Sequence, residues 1–162
     1  MSDVAKQAGV ATGTAYVHYE SKEALLFAAY VEVKRELGDA VAGLIDPAAS
    51  PHDRFVQLWL GVYRTLAADP DRARFLVQMD SSPYAAEAHA LAIARGDDAM
   101  VAQAMAEDIV DRLAPLSLEL LYELGIAPAV RLAAGLGSDG TRPKPAAVRT
   151  MAEACWRAMT IG

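Results

Sequence analysis

Six apolar residues, Leu26, Tyr30, Val33, Leu37, Val41 and Leu44, follow one another at intervals of 4, 3, 4, 4 and 3. On a helix of about six turns that spacing makes a single stripe, whereas on a strand it would scatter the residues over both faces. Glu32, Lys34, Arg35, Glu36 and Asp39 occupy much of the remaining surface. Ser21 is placed to cap the helix, because its hydroxyl can accept from an orphan backbone N–H. The same period returns further on. Phe55, Leu58, Trp59, Val62 and Leu66 predict a second helix that ends near Asp69-Pro70, and residues 71–80 a short third, with Phe75, Leu76 and Met79 on one side. After the break at Ser81-Ser82-Pro83, residues 84–113 read as largely helical with an interruption at Gly96. Residues 116–124 and 128–136 read as a helical pair, or one helix kinked around Gly125 and Pro128. Residues 145–160 close the chain, with Val148, Met151, Cys155 and Met159 on one stripe and Ala152 and Trp156 beside it. No stretch sustains strand-like alternation. The 34 alanines and 17 leucines, against three phenylalanines and two tryptophans, suit closely packed helices, so the expected fold is all-α.

Two strong breaks interrupt the pattern, Asp46-Pro47-Ala48-Ala49-Ser50-Pro51 and the Gly-, Ser- and Asp-rich stretch 135–143. With 54% hydrophobic residues the chain can bury a sizeable core. Its single cysteine, Cys155, excludes an internal disulfide framework and fits a reducing compartment. The longest apolar run, residues 24–31, is far too short for a membrane span, and no basic-then-apolar leader opens the chain, which predicts a cytoplasmic protein. A net charge of −6 argues against a generic polyanion binder while leaving room for one small DNA-contacting face. His52 and His89 stand alone without metal-ligand spacing; Glu107, Asp108 and Asp111 read as a solvated face, and Cys155 as an inert core thiol. No phosphate loop, nucleophile elbow or zinc-protease motif is present, so neither an enzyme nor a cofactor is expected.

The stretch from Asp3 to Leu26, DVAKQAGVATGTAYVHYESKEALL, is the most informative. Residues 3–8 can form a short helix with Val4, Ala5 and Ala8 inward; Gly9 supplies a tight turn, Val10 plugs the corner, and residues 12–18 form a second short helix. That is helix-turn-helix geometry, whose second helix enters the major groove. Ala15 and Tyr19, four apart, face the core, which leaves Thr12, Gly13, Thr14, Tyr16 and Val17 outside. Gly13 admits close approach of DNA, the threonine hydroxyls and Tyr16 can donate to phosphate oxygens, and Val17 can touch a thymine methyl. Lys22 adds a cation at the start of the long helix, a position suited to phosphate.

In Val4-Ala5, Gly9-Val10, Gly13-Thr14-Ala15-Tyr16, His18-Tyr19 and Ser21-Lys22-Glu23-Ala24-Leu25, in that order and without gaps, the chain resembles the tetracycline-repressor-like (TetR/AcrR-type) regulators. The resemblance implies DNA contacts at Thr12, Gly13, Thr14, Tyr16, Val17, His18 and Lys22. It also implies a further helix in front of the motif, after which this chain begins. Residues 1–45 are then a truncated DNA-reading head with its connecting helix, and residues 46–162 an effector and dimerisation body. Within that body Trp59, Tyr63, Gln78, Met79 and Tyr122 pair large or pliable surface with possible polar handles, and are the candidates for a ligand pocket between helices. The resemblance further implies a homodimer on a palindromic double-stranded operator, with a self-contact built from residues 116–136 and 146–161 and Leu120, Leu124, Leu132, Met151, Cys155 and Trp156 at the interface. The implied function is a repressor released by a small apolar or amphipathic effector. An oligomeric helical scaffold that has lost DNA binding is the alternative.

Overall fold

The computed structural model describes residues 20–96, 99–135 and 142–161. Among them the chain forms nine helices and no strand: α1 (Lys22–Ala42), α2 (Pro51–Ala68), α3 (Pro70–Asp80), α4 (Ala85–Ala94), α5 (Ala99–Ala104), α6 (Glu107–Val110), α7 (Leu118–Leu124), α8 (Ala127–Ala134) and α9 (Pro145–Met159). The all-α fold expected from periodicity is the fold observed. The segment read as helix-turn-helix lies outside the described residues.

Helix starts follow local chemistry. The Ser21 hydroxyl accepts from the Ala24 N–H at 3.0 Å, Ser50 from Asp53 at 3.1 Å, and Asp69 from Arg72 at 3.4 Å. Pro51, Pro70 and Pro145 sit in first turns, where the missing N–H costs nothing. Two stripes differ from expectation at one position each. Because α1 ends at Gly43, Leu44 falls beyond the helix and is 56% exposed, while Ile45 turns inward in its place. In α9 the buried line is Val148, Ala152, Cys155 and Met159, and Met151 lies on the exposed flank. The 84–113 stretch breaks into α4, α5 and α6. The first break contains Gly96 at φ +68°, a left-handed conformation that glycine alone adopts freely.

Helix α2 is the centre of the bundle and packs against α1, α3, α6, α8 and α9. Phe55, Val56, Leu58, Trp59, Val62 and Leu66 are all buried. Gly61 lets α1 approach closely, since a Cβ there would meet Val41 Cγ1 at 2.9 Å. Trp59 is fully enclosed and stacks on Tyr63 with ring centroids 6.2 Å apart. Its indole Nε1–H donates to the Gly125 carbonyl at 3.0 Å, pairing a backbone group at the C-terminus of α7. At the far end of the chain, Leu113 and Thr160 form an antiparallel bridge, the Ala114 N–H donates to Met159 O at 2.7 Å, and the Ile161 N–H to Arg112 O at 3.0 Å. These bonds tie the exit of α9 to the connector that follows α6. No helix among the described residues is long and apolar enough to cross a membrane.

Gly125 has no room for a side chain: a Cβ would collide with the Met159 sulfur and lie 2.8 Å from the Leu121 carbonyl oxygen. Gly125→Ala is therefore expected to lower the unfolding free energy by about 1–3 kcal/mol in urea titrations, the range of an overpacked core site. An unchanged midpoint and slope contradicts this packing.

Candidate functional site

One end of the bundle holds a cavity of about 270 Å³, partly open to solvent, between α1, α2, α4, α5, α6 and α7. Its walls are largely apolar: Phe55 and Leu58 from α2, Ile93 from α4, Met100 from α5, Ile109 from α6 and Leu121 from α7. Polar side chains gather in one corner, where α1 contributes Tyr30 and Lys34, α4 His89, and α7 Tyr122. Behind them stands Asp80, the last residue of α3. Asp80 Oδ2 accepts from the Tyr122 hydroxyl at 2.9 Å; its Oδ1 is 3.0 Å from His89 Nε2 and accepts weakly from Tyr30 at 3.5 Å. Lys34 Nζ lies 5.7 Å from the centre of the Tyr122 ring.

Burial pushes the Asp80 carboxyl up, but the hydrogen bonds from His89 and Tyr122, helped by the charges of His89 and Lys34, overcome it and hold Asp80 below the usual carboxylate range. Tyr122 is driven the other way. Burial and the adjacent Asp80 carboxylate lift its phenol far above the ordinary value, so it stays protonated. The corner is thus an ionised acceptor ringed by donors, with Lys34 offsetting its charge.

At the other end of α1, Lys22 is exposed in the first turn of the helix. The next residue, Glu23, is held below the usual carboxylate range by backbone N–H at the helix start and by Ser21. The Tyr84 hydroxyl, at the entry to α4, reaches Glu23 Oε1 at 3.5 Å, and its ring meets Phe27 edge-on at 5.9 Å. Helix α4 therefore touches the start of α1 through Tyr84 and lines the cavity through His89.

Thr12, Gly13, Thr14, Tyr16, Val17 and His18 lie outside the described residues. Of the five ligand candidates, Tyr122 lines the cavity. Trp59, Tyr63 and Met79 are core residues away from its walls, and Gln78 is exposed. Tyr30, Lys34, His89 and Asp80 were not foreseen; Tyr30 and Lys34 share one helix face, but no local spacing connects that pair to Asp80 or His89. Of the interface candidates, Leu120, Leu124 and Met151 are exposed, Leu132 is half-buried against the core, and Cys155 is buried. Trp156 packs on Phe55 with centroids 5.4 Å apart. Ala147, Met151, Ala154 and Ala158, spaced 4, 3 and 4, form an exposed apolar line on α9. No group of three or more His, Cys, Asp or Glu among the described residues could hold a metal ion.

The sequence profile of bacterial regulatory proteins of the tetR family matches residues 1–29, and that of the tetracyclin repressor-like C-terminal domain matches residues 51–160. Among solved structures, a TetR family transcription regulator from Marinobacter aquaeolei VT8 is 20% identical, with a TM-score of 0.69 over 98% of this chain and 83% of that one. A TetR-family transcriptional regulator from Haemophilus influenzae RD is 25% identical, with a TM-score of 0.66 over 97% and 82%. A TetR family protein from Vibrio parahaemolyticus is 24% identical, with a TM-score of 0.63 over 99% and 87%. No curated protein matches the chain.

The Asp80 corner has a pH signature. Its folded pKa lies below the unfolded value, so its stabilising contribution is complete above about pH 4 and is lost as pH falls through the folded value. Chemical denaturation from pH 6 to pH 2.5 is expected to show a loss of stability at the acid end that is smaller in Asp80→Asn. Identical acid limbs for the two proteins would sink this account.

Proposed function

The chain belongs to the tetR family of bacterial regulatory proteins, and from that premise we propose that it is a cytoplasmic, ligand-responsive repressor that binds a palindromic double-stranded operator as a homodimer. Residues 1–45 act as the DNA-reading head with its connecting helix, and residues 46–162 as the body. Thr12, Gly13, Thr14, Tyr16, Val17 and His18 contact DNA, and Lys22 takes a backbone phosphate. Half-sites then lie about 34–36 Å apart or at a multiple of that distance.

The observation that carries this reading is that α1 serves both ends. Its first turn continues directly from the DNA-reading segment, and two turns later Tyr30 and Lys34 stand in the cavity wall. An effector in the cavity touches the helix that aims the head. A second route runs through α4, from His89 in the wall to Tyr84 against Glu23 and Phe27. An effector that prefers one setting of α1 shifts operator affinity by its differential affinity for the two settings; a coupling of about 1–3 kcal/mol changes that affinity about 5–150-fold.

Self-association is supported by the outward apolar residues Leu120 and Leu124 on α7 and Met151 on α9. Met151→Glu places a carboxylate in that face. Sedimentation at micromolar concentration is expected to find the variant monomeric and the unaltered chain dimeric, with operator binding lost in parallel. A dimeric Met151→Glu protein removes α9 from the interface.

Gel-shift titration on the protein's own promoter region tests the DNA reading. Tyr16→Ala is expected to weaken binding at least about tenfold, the scale of a specific contact, and Lys22→Ala to weaken it while lowering the salt slope by about one. Promoter binding indifferent to both substitutions would falsify the assigned contacts.

A further inference from the structure

Resting on the reading of the cavity as an effector site, we propose that its occupant is an apolar molecule whose polar head donates a hydrogen bond and carries no negative charge. The inference starts from the direction of the protons in the polar corner. Asp80 is ionised and can only accept. The single hydroxyl proton of Tyr122 is directed at Asp80 Oδ2 at 2.9 Å, so the phenol oxygen has only lone pairs left for a partner. Two further polar residues of the wall, Glu119 and Glu123 on α7, are carboxylates and also accept.

Charge sharpens the choice. Glu119 is held below the usual carboxylate range, first by the Ser117 hydroxyl, and so stays ionised at neutral pH. Glu123 is paired with Arg131 at 2.5 Å on the outer side of α7. Lys34 is a lining cation, but it stands over the Tyr122 ring and offsets Asp80, which leaves the corner close to neutral. A carboxylate head would therefore meet the carboxylates of Glu119 and Asp80, while the cations beside them, Lys34 and His89, are already drawn to Asp80. An ether or ester head brings no proton for the lone pairs of the Tyr122 oxygen, whose own proton is spent on Asp80. A hydroxyl or amine head meets the acceptors on offer, and the apolar walls from Phe55, Leu58, Met100 and Leu121 hold the rest.

Four molecules with one apolar body separate these cases: 4-butylbenzyl alcohol, 4-butylbenzylamine, the methyl ether of the alcohol, and 4-butylbenzoate. Calorimetric titration into the full chain at pH 7.5 is expected to give the alcohol and the amine at least about tenfold lower Kd than the ether and the benzoate. An ether or benzoate that binds as tightly as the alcohol overturns the head-group assignment and leaves the cavity reading standing. Failure of all four to bind at millimolar concentration overturns the cavity reading as well. Asp80→Leu removes the acceptor and frees the phenol proton for the ligand, so the alcohol-to-ether ratio is expected to fall below about threefold. A ratio unchanged by that substitution refutes the role given to the Asp80–Tyr122 bond. The four-ligand comparison on the unaltered chain decides the proposal even if the variant does not fold.

Discussion

The bond from the Trp59 indole to the Gly125 carbonyl holds the centre of the molecule together. Trp59 is the largest fully buried side chain, and its one donor has to be paired inside the core. The acceptor it finds is a backbone group at the end of α7, so burying the indole also fixes where α7 stops and α8 begins. Gly125 is the residue that fits, because the Met159 side chain fills the space a Cβ would need. Through these three residues α2, α7 and α9 share one junction. Leu58, one residue before Trp59, and Met159 then form part of the cavity wall. The position of the candidate site is thus a by-product of how the core satisfies one tryptophan.

The polar corner follows a different rule from the core around it. A half-buried carboxylate is unfavourable unless donors surround it, and Asp80 has three within reach, drawn from α1, α4 and α7. Those helices meet at Asp80 because each brings a group that the carboxylate needs. In an all-apolar pocket the same helices would be free to slide; here their relative setting is specified by directional bonds.

Most of the fold was legible in the sequence, and the site mostly was not. The stripe from Leu26 to Val41 and that from Phe55 to Leu66 are short-range patterns, and both appear as buried faces. Their ends were read less well, since the stop after Ala42 leaves Leu44 outside while Ile45 turns in. Met151 and Ala152 are neighbours of similar apolar character, and packing alone decides which one faces inward. Tyr122 was readable as a candidate from its chemistry. Trp59 and Tyr63 look the same in sequence whether they fill a core or line a cavity. Asp80, His89 and Tyr122 meet across as many as 42 residues, and no periodicity reports such a meeting.

The outer wall of the cavity is made of the shortest helices among the described residues. It is built from α5 and α6, of six and four residues, and its rim carries Ile93, Val101 and Met105 with their apolar surface open to water. Helices this short are not stable by themselves and depend on packing against their neighbours. They are held from within: α5 packs against α1, Met100 and Ile109 are buried, and Asp108 of α6 pairs with Arg54 of α2. The apolar rim is thus carried on elements too short to stand alone, and its shape is dictated by the side chains that anchor them to α1 and α2.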